Sequence, residues 1–278
     1  MVMLELAKKA TKVYKVYREK GAEEVLRRAF HRVRYLSYRV RGPIINLKIM
    51  GVKIRMYTPT YPDFHIVDYV ARTEHYLQRE LVRELKEGIV IWDVGANVGL
   101  YSCFLGKYSS NVTVVAFEPN PVVVERLKKN VSLNGLRNVQ IVDVALWDVD
   151  SNLTFDVVWS EHPSLHGRVV THSEGNQGNL VMVKAMRGDS LVEKGLAPPP
   201  DIIKVDVEGG EIEVIRGMDS VLNDCRVLFI EVHPAKGVDT HVLECMLVKA
   251  GFEVERFGWR DQDFWIKATN NRIRSEVI

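Results

Sequence analysis

Residues 90–102 read VIWDVGANVGLYS, an apolar run that passes Asp93, opens into Gly95-Ala96-Asn97-Val98-Gly99 and resumes through Tyr101 and Ser102. This is the pattern of a buried strand entering a helix through a tight turn, where small residues at 95, 96 and 99 let the backbone approach a ligand and the following helix. Such a turn lies at the nucleotide-binding crevice of a doubly wound α/β sheet. A dinucleotide and S-adenosylmethionine are both held there. The dinucleotide fingerprint is Gly-x-Gly-x-x-Gly, and Asn97 stands where its second glycine would be. That glycine lets a pyrophosphate come close, so a polar side chain in its place favours a ligand without phosphates.

Two more apolar runs end in acids. Residues 113–117 lead to Glu118, about twenty residues after the glycines, where these folds hold a ribose by its hydroxyls. Pro119-Asn120-Pro121 then turns the chain into a helix carrying Val124, Leu127 and Val131. Residues 139–142 lead to Asp143, placed to meet an adenine edge beside Val144 and Ala145. One such acid alone reads better as a solvated strand end or helix cap. Three strands ending in Asp93, Glu118 and Asp143 form a row along the carboxyl edge of one sheet, where open α/β sheets bind ligands.

The later stretch 201–218, DIIKVDVEGGEIEVIRGM, is more specific. Side chains alternate along a strand, so Lys204 and Asp206 share a face within an otherwise apolar run. Charges buried there are costly unless they pair or serve a site. Residues 227–232 repeat the arrangement with Glu231, followed by His233. The structural alternative is a Lys204–Glu231 ion pair with Glu208 capping the next helix.

DVGANVG, AFEPNP, the Asn134-Gly135 turn, KVDVEGGE with Gly217, and IEVH together resemble the FkbM-type methyltransferases, from about Glu74 to His233. The resemblance implies a Rossmann-like class I methyltransferase sheet, mostly parallel with a terminal antiparallel hairpin. It also implies S-adenosylmethionine as cofactor and O-methylation of a sugar or polyketide hydroxyl. The methionine end of the cofactor is then expected near Asp93 and Gly95, and its ribose on Glu118. Glu74 matches a glutamate the family carries upstream of the glycine loop, although Thr73 stands where the family has an aromatic residue.

A chain of 278 residues suffices for one such domain, taken as 43–278, with a substrate-side insertion near 151–186. Residues 1–42 hold twelve Lys or Arg against four Glu, a local balance of +8 in a chain of net +2. Apolar residues such as Leu4, Ala7, Thr11 and Val25, Ala29, Val33 recur there at helical spacing, broken by Gly21. Two basic amphipathic helices are expected, read foremost as a solvated cap or homodimer contact. Peripheral contact with an anionic membrane or glycolipid is the other reading. No nucleic-acid module accompanies them. Cys103, Cys225 and Cys245 lack metal or disulfide spacing and read as core thiols of a cytoplasmic protein. No run approaches the ~20 apolar residues of a membrane span, and no secretory signal opens the chain.

Residues 47–49 and 52–56 are expected to form a hairpin at the sheet entrance, followed by a loop over 58–63 and a helix over 73–86. Strands are expected over 153–159 and 180–184. The Ser, His, Gly and Asn-rich segment between them makes His162, Ser164, His166 and Arg168 candidates for acceptor recognition. Residues 252–257 and 264–268 read as the terminal hairpin. Lys204, Asp206, Glu231 and His233 are the catalytic candidates, with Asp206 or Glu231 as general base, Lys204 orienting the acceptor oxygen and His233 as a second base. The cofactor candidates are Glu74, Asp93, Gly95, Ala96, Asn97, Gly99, Tyr101, Ser102, Glu118, Pro119, Asp143, Val144, Ala145 and Asp206. No metal is required on this account, although a cluster of Asp206, Glu231 and His233 could ligate a divalent ion, as in the catechol class of methyltransferases. A noncatalytic adenosine-binding scaffold and, less favoured, an NAD-dependent oxidoreductase are the alternatives.

Overall fold

The computed structural model describes residues 42–157, 167–169, 179–260 and 262–274, together with Arg18, Ala22, Val33 and Tyr35. The expected N-terminal helices, apart from those four positions, and the candidates His162, Ser164 and His166 lie outside the described residues. Arg168 falls in a short strand.

The chain opens with the hairpin β1 (Ile44–Ile49) and β2 (Val52–Tyr57). Two helices follow, α1 (Tyr61–Thr73) and α2 (His75–Glu84), then β3 (Val90–Val94), α3 (Leu100–Tyr108), β4 (Thr113–Phe117), α4 (Pro121–Leu133) and β5 (Val139–Val142). The expected loop over 58–63 is in fact the start of α1. Thr60 accepts from the Asp63 amide at 3.3 Å while Asp63 accepts from the Thr60 amide at 3.0 Å, a reciprocal capping box with Pro62 in the first turn. The helix expected over 73–86 is the second of the pair, separated from the first at Glu74. The hairpin does not sit at the sheet entrance. It packs on α3 and α4, where Asn130 and Asn134 accept from the amides of Tyr57 and Arg55 at 2.6 and 2.9 Å.

Strands β6 (Ala145–Leu146), β7 (Ser151–Val157), β8 (Gly167–Val169) and β9 (Asn179–Met186) form a small separate sheet in the order β6-β9-β7-β8. The two expected insertion strands are thus antiparallel partners, β7 with β9. Then come α5 (Gly188–Glu193), β10 (Ile202–Val205), α6 (Glu211–Arg216), α7 (Val221–Asp224), β11 (Val227–Val232), α8 (Thr240–Lys249), β12 (Phe252–Arg260) and β13 (Asp263–Asn270).

The main sheet has seven strands in the order β12-β13-β11-β10-β3-β4-β5. β11, β10, β3, β4 and β5 run parallel, and β13 is antiparallel to both β11 and β12. This is the mostly parallel sheet with an antiparallel terminal hairpin expected from the sequence. Alternation along the strands sorts the core into two layers. Ile91, Ile202 and Phe229 pack with Phe64, Leu77, Phe104 and Leu127 of α1–α4. Trp92, Ile203 and Leu228 pack with Leu191, Val214, Leu222 and Leu243 of α5–α8. Period two therefore turns Asp93, Lys204 and Glu231 toward the α1–α4 layer. Strand order reverses between β3 and β10, so the crevice of the fold opens at the carboxyl ends of those two strands. Among the described residues no helix is long and apolar enough to cross a membrane.

Candidate active site

The glycine turn leaves β3 at Val94 and is braced by its neighbours. Gly95 and Ala96 donate backbone hydrogen bonds to the Phe117 carbonyl at 3.1 and 2.9 Å. Gly95 has φ +75, and a Cβ there would lie 1.9 Å from the carbonyl oxygen of Asp206. The two sequence motifs, DVGANVG and KVDVEG, thus touch backbone to backbone. Asn97 takes the left-handed conformation at φ 52, its Oδ1 accepting from the Val98 amide at 2.7 Å. It supplies the conformation a glycine would, as asparagine does more readily than other side chains. Glu118 is buried at the end of β4 and accepts from the amides of Asn97 at 3.0 Å and Asn120 at 2.9 Å.

Lys204 is the centre of the buried cluster. In register it lies beside Asp93 on one side and Phe229 on the other. Its Nζ reaches Asp93 Oδ1 at 3.1 Å and Asp206 Oδ2 at 3.8 Å, and stands 5.2 Å from the Tyr101 ring centre. The ion-pair partner is thus Asp93, where Glu231 was the expected structural alternative: β3 flanks β10 directly, while Glu231 lies two residues beyond the register position of Lys204. Asp93 Oδ2 accepts from Ser102 Oγ at 2.6 Å, and Glu74 accepts from the Tyr101 hydroxyl at 2.6 Å. Burial opposes the charge of Lys204, but Asp93, Asp206 and Glu74 outweigh it and hold the ammonium well above its ordinary pKa. Burial, with Glu74 and Glu231 adding to it, raises Tyr101 far enough that the phenol stays a neutral donor. An apolar side chain at 204 would contribute about 1.5–3 kcal/mol by burial, and buried ion pairs seldom repay their desolvation. The pair is therefore better explained by the chemistry of the crevice than by stability.

A second cluster adjoins the first. His233 is buried, with Nδ1 2.6 Å from Glu211 Oε1 and Nε2 facing Glu208 Oε2 at 3.6 Å and Asp206 Oδ1 at 3.9 Å. Burial pushes the imidazolium down, yet the Glu211 hydrogen bond and the charges of Asp206, Glu211 and Glu231 prevail and hold His233 at about 9. A ring that carries its proton at neutral pH is a donor, which argues against the second-base role expected for it. Glu208 does not cap α6. It sits at φ 60 before Gly209, and its carboxylate meets Lys236.

Of the residues anticipated from sequence, Glu74, Asp93, Tyr101, Ser102, Lys204, Asp206, Glu231 and His233 gather at this rim, and the turn Gly95, Ala96, Asn97 and Gly99 adjoins it where Gly95 meets the Asp206 carbonyl. Pro119 follows Glu118 along the β4 rim. Asp143 is exposed past the end of β5, while Val144 and Ala145 beside it are buried. Sequence reasoning passed over Glu211, fully buried and the orienting partner of His233. It also passed over Trp147, whose ring a Cβ at Gly210 would meet at 2.5 Å and whose carbonyl oxygen a Cβ at Gly217 would meet at 2.0 Å. Those contacts explain Gly210 of EGGE and the later Gly217, while Gly209 is required by its φ of +116. Cys103 and Cys225 are buried and their thiols are pushed by burial up to about 12, as core thiols would be.

The model of the methyltransferase FkbM domain matches residues 93–254. The hexuronic acid methyltransferase AglP of Haloferax volcanii is 34% identical over 202 residues, covering 72% of this chain and 79% of the relative. The 31-O-demethyl-FK506 methyltransferase FkbM of Streptomyces tacrolimicus is 27% identical over 198 residues, covering 62% of this chain and 75% of the relative. Among solved structures, magnesium protoporphyrin IX methyltransferase of Synechocystis PCC 6803 with bound SAM is similar over 76% of this chain and 85% of that one, at 12% identity and a TM-score of 0.47.

Proposed function

We propose that this chain, which belongs to the FkbM methyltransferase family and is an S-adenosylmethionine-dependent methyltransferase, transfers the methyl group to a hydroxyl of a sugar, such as a hexuronic acid, or of a glycolipid bearing one. Family membership sets aside the oxidoreductase alternative. The observation that carries the acceptor reading is the rim itself: Asp206 stands beside a buried, charged Lys204 and Glu231 is buried at the end of the next strand, in a family whose Haloferax volcanii member is a hexuronic acid methyltransferase.

The residues present fit the cofactor. Asp93 and Asp206 meet the Lys204 ammonium, and Asp206, Glu208 and Glu211 surround His233. Carboxylates at this rim complement a sulfonium and would repel a pyrophosphate. In this reading the glycine turn with Glu74, Asp93, Tyr101 and Ser102 holds the methionine end. Glu118 and Pro119 hold the ribose, and Asp143, Val144 and Ala145 the adenine.

Bound S-adenosylmethionine supplies a methyl carbon already activated by its sulfonium. The chain has to hold the acceptor oxygen in line with that carbon and remove its proton. Asp206 or Glu231 takes the proton, and the charged Lys204 steadies Asp206 and orients the incoming oxygen. As the oxygen–carbon bond forms the carbon–sulfur bond breaks, leaving an ether and a neutral thioether. The separation of a basic extension, 1–42, from a catalytic domain, 43–278, and a contact of that extension with an anionic glycolipid surface belong to the same proposal.

The test is methyl transfer to hexuronic acid, neutral sugar and glycolipid acceptors. Asp206→Asn or Glu231→Gln is expected to lower kcat by about 10²–10⁴ with the productive acceptor. Full turnover in both variants would place proton removal elsewhere.

A further inference from the structure

We propose that Asp206, Glu208 and His233 form a divalent-cation site at the mouth of the active site, backed by Glu211. The proposal deepens the O-methylation reading and rests on it for its chemistry, though not for its detection.

One oxygen of Asp206, one of Glu208 and a ring nitrogen of His233 lie within 4.8 Å of one another. The Nε2 distances of 3.6 and 3.9 Å are too long for hydrogen bonds. They exceed the roughly 3.0–3.5 Å between adjacent ligands around one ion with bonds of about 2.0–2.2 Å, so the two carboxylates draw in by several tenths of an ångström on binding. His233 is nevertheless 1% exposed, so a buried ring nitrogen points between two carboxylates without hydrogen-bonding either. Its other nitrogen is held at 2.6 Å by Glu211. A carboxylate fixing the far nitrogen is how metal-bound histidines are oriented. Glu211 is itself fully buried, and its second oxygen has no hydrogen-bond partner.

Lys236 now meets Glu208 from the 3-10 turn Pro234–Lys236. At 40% exposed, it is a counter-ion that can swing into solvent when a stronger one arrives. Ligation needs the neutral imidazole, so the cation exchanges for the proton on Nε2. Two carboxylates and one imidazole suit an Mn²⁺-like ion better than Ca²⁺, which takes oxygen ligands, or thiolate-bound zinc. Three protein ligands leave positions open for acceptor oxygens. Adjacent hydroxyls, or a hydroxyl and the carboxylate of a sugar acid, are the pair such an ion would hold. Asp206 then positions the acceptor through the cation, and proton removal falls to Glu231.

The deciding experiment titrates EDTA-stripped, full-length protein with MnCl₂ by calorimetry and by loss of the free Mn²⁺ electron-spin signal, without any acceptor. One ion per chain is expected. Glu208→Gln and His233→Gln should lose that binding, Glu211→Gln should weaken it by about 10–100-fold, and Lys236→Ala should bind at least as tightly as wild type. Calorimetry of the Glu208→Gln protein with S-adenosylhomocysteine, expected to match wild type, shows that the fold survives. Absence of binding in the stripped wild type, or wild-type affinity in Glu208→Gln, would overturn the site. Mn²⁺ binding without turnover on any sugar acceptor would uphold the site and sink the acceptor reading.

Discussion

Two clusters of charge occupy the α1–α4 face of the main sheet, and they are built on opposite terms. Around the amino end of β11, Arg226 pairs with Glu84 at 2.6 Å, and Lys267 lies 2.9 Å from Glu84 and 3.0 Å from Glu80. Each of these four side chains is 18–21% exposed, and Glu80 also meets the exposed Arg83. At the carboxyl end, Lys204 and Asp93 are 2% and 0% exposed, and Asp206 stands 3.8 Å from the same ammonium. Wet pairs contribute about 0–1 kcal/mol each. Dry ones cost desolvation that their mutual attraction seldom recovers. One cluster can be accounted for by folding alone, whereas the other, a fully buried ion pair, is better explained by the chemistry of the crevice.

The largest break in that contrast should come from Lys204→Met. It strands Asp93 as a buried charge, for which a loss of about 3–5 kcal/mol is expected in urea unfolding. Pairing it with Asp93→Asn removes the stranded charge and should restore part of the loss. If Lys204→Met costs no more than Arg226→Met, the two clusters are equivalent and the contrast fails.

Gly95→Ala should come next. The left-handed backbone alone costs about 1–2 kcal/mol for a residue with Cβ, and the added carbon overlaps the Asp206 carbonyl. The strain must open the seam between the glycine turn and β10. Calorimetry should therefore show S-adenosylmethionine affinity reduced by more than the stability change predicts. Gly135→Ala, at φ +64 but with nothing within 4 Å of its Cβ, is the control for backbone strain without a clash. Equal losses of affinity in the two variants would mean that the seam does not shape the site.

The same contrast explains what could be read in advance. Strands β3, β4, β10 and β11 and the acids at their ends were legible because period-two burial and glycine turns are local signals. The partner of Lys204 was not, since a strand interior says nothing of which strand lies beside it; only the order β11-β10-β3 brings Asp93 alongside. Glu211 was hidden for a similar reason, because its role depends on His233 returning from the next strand. Helix α1 was missed for a local reason. Thr60-Tyr61-Pro62-Asp63 carries turn residues, and the same residues that stop a strand build its capping box. The glycines facing Trp147 reveal a packing need that spans 63 and 70 residues and has no local signature.

Glu84→Gln should give the smallest effect. Burial raises the Glu84 carboxyl, but hydrogen bonds and charge from Lys267 and Arg226 outweigh it and leave the group below its ordinary value. A depressed carboxyl contributes stability above the unfolded pKa, about 4.3, and loses it as pH falls through the folded value. The substitution should therefore cost less than about 1 kcal/mol at pH 7 and flatten the acid limb of the stability curve below about pH 4.3. The loss stays small because each cation keeps a second partner: Arg226 still donates to the Glu84 carbonyl at 2.8 Å, and Lys267 still meets Glu80. Lys204 has no such exposed setting in which to relax. A Glu84→Gln loss as large as that of Lys204→Met would show that burial does not separate the two clusters.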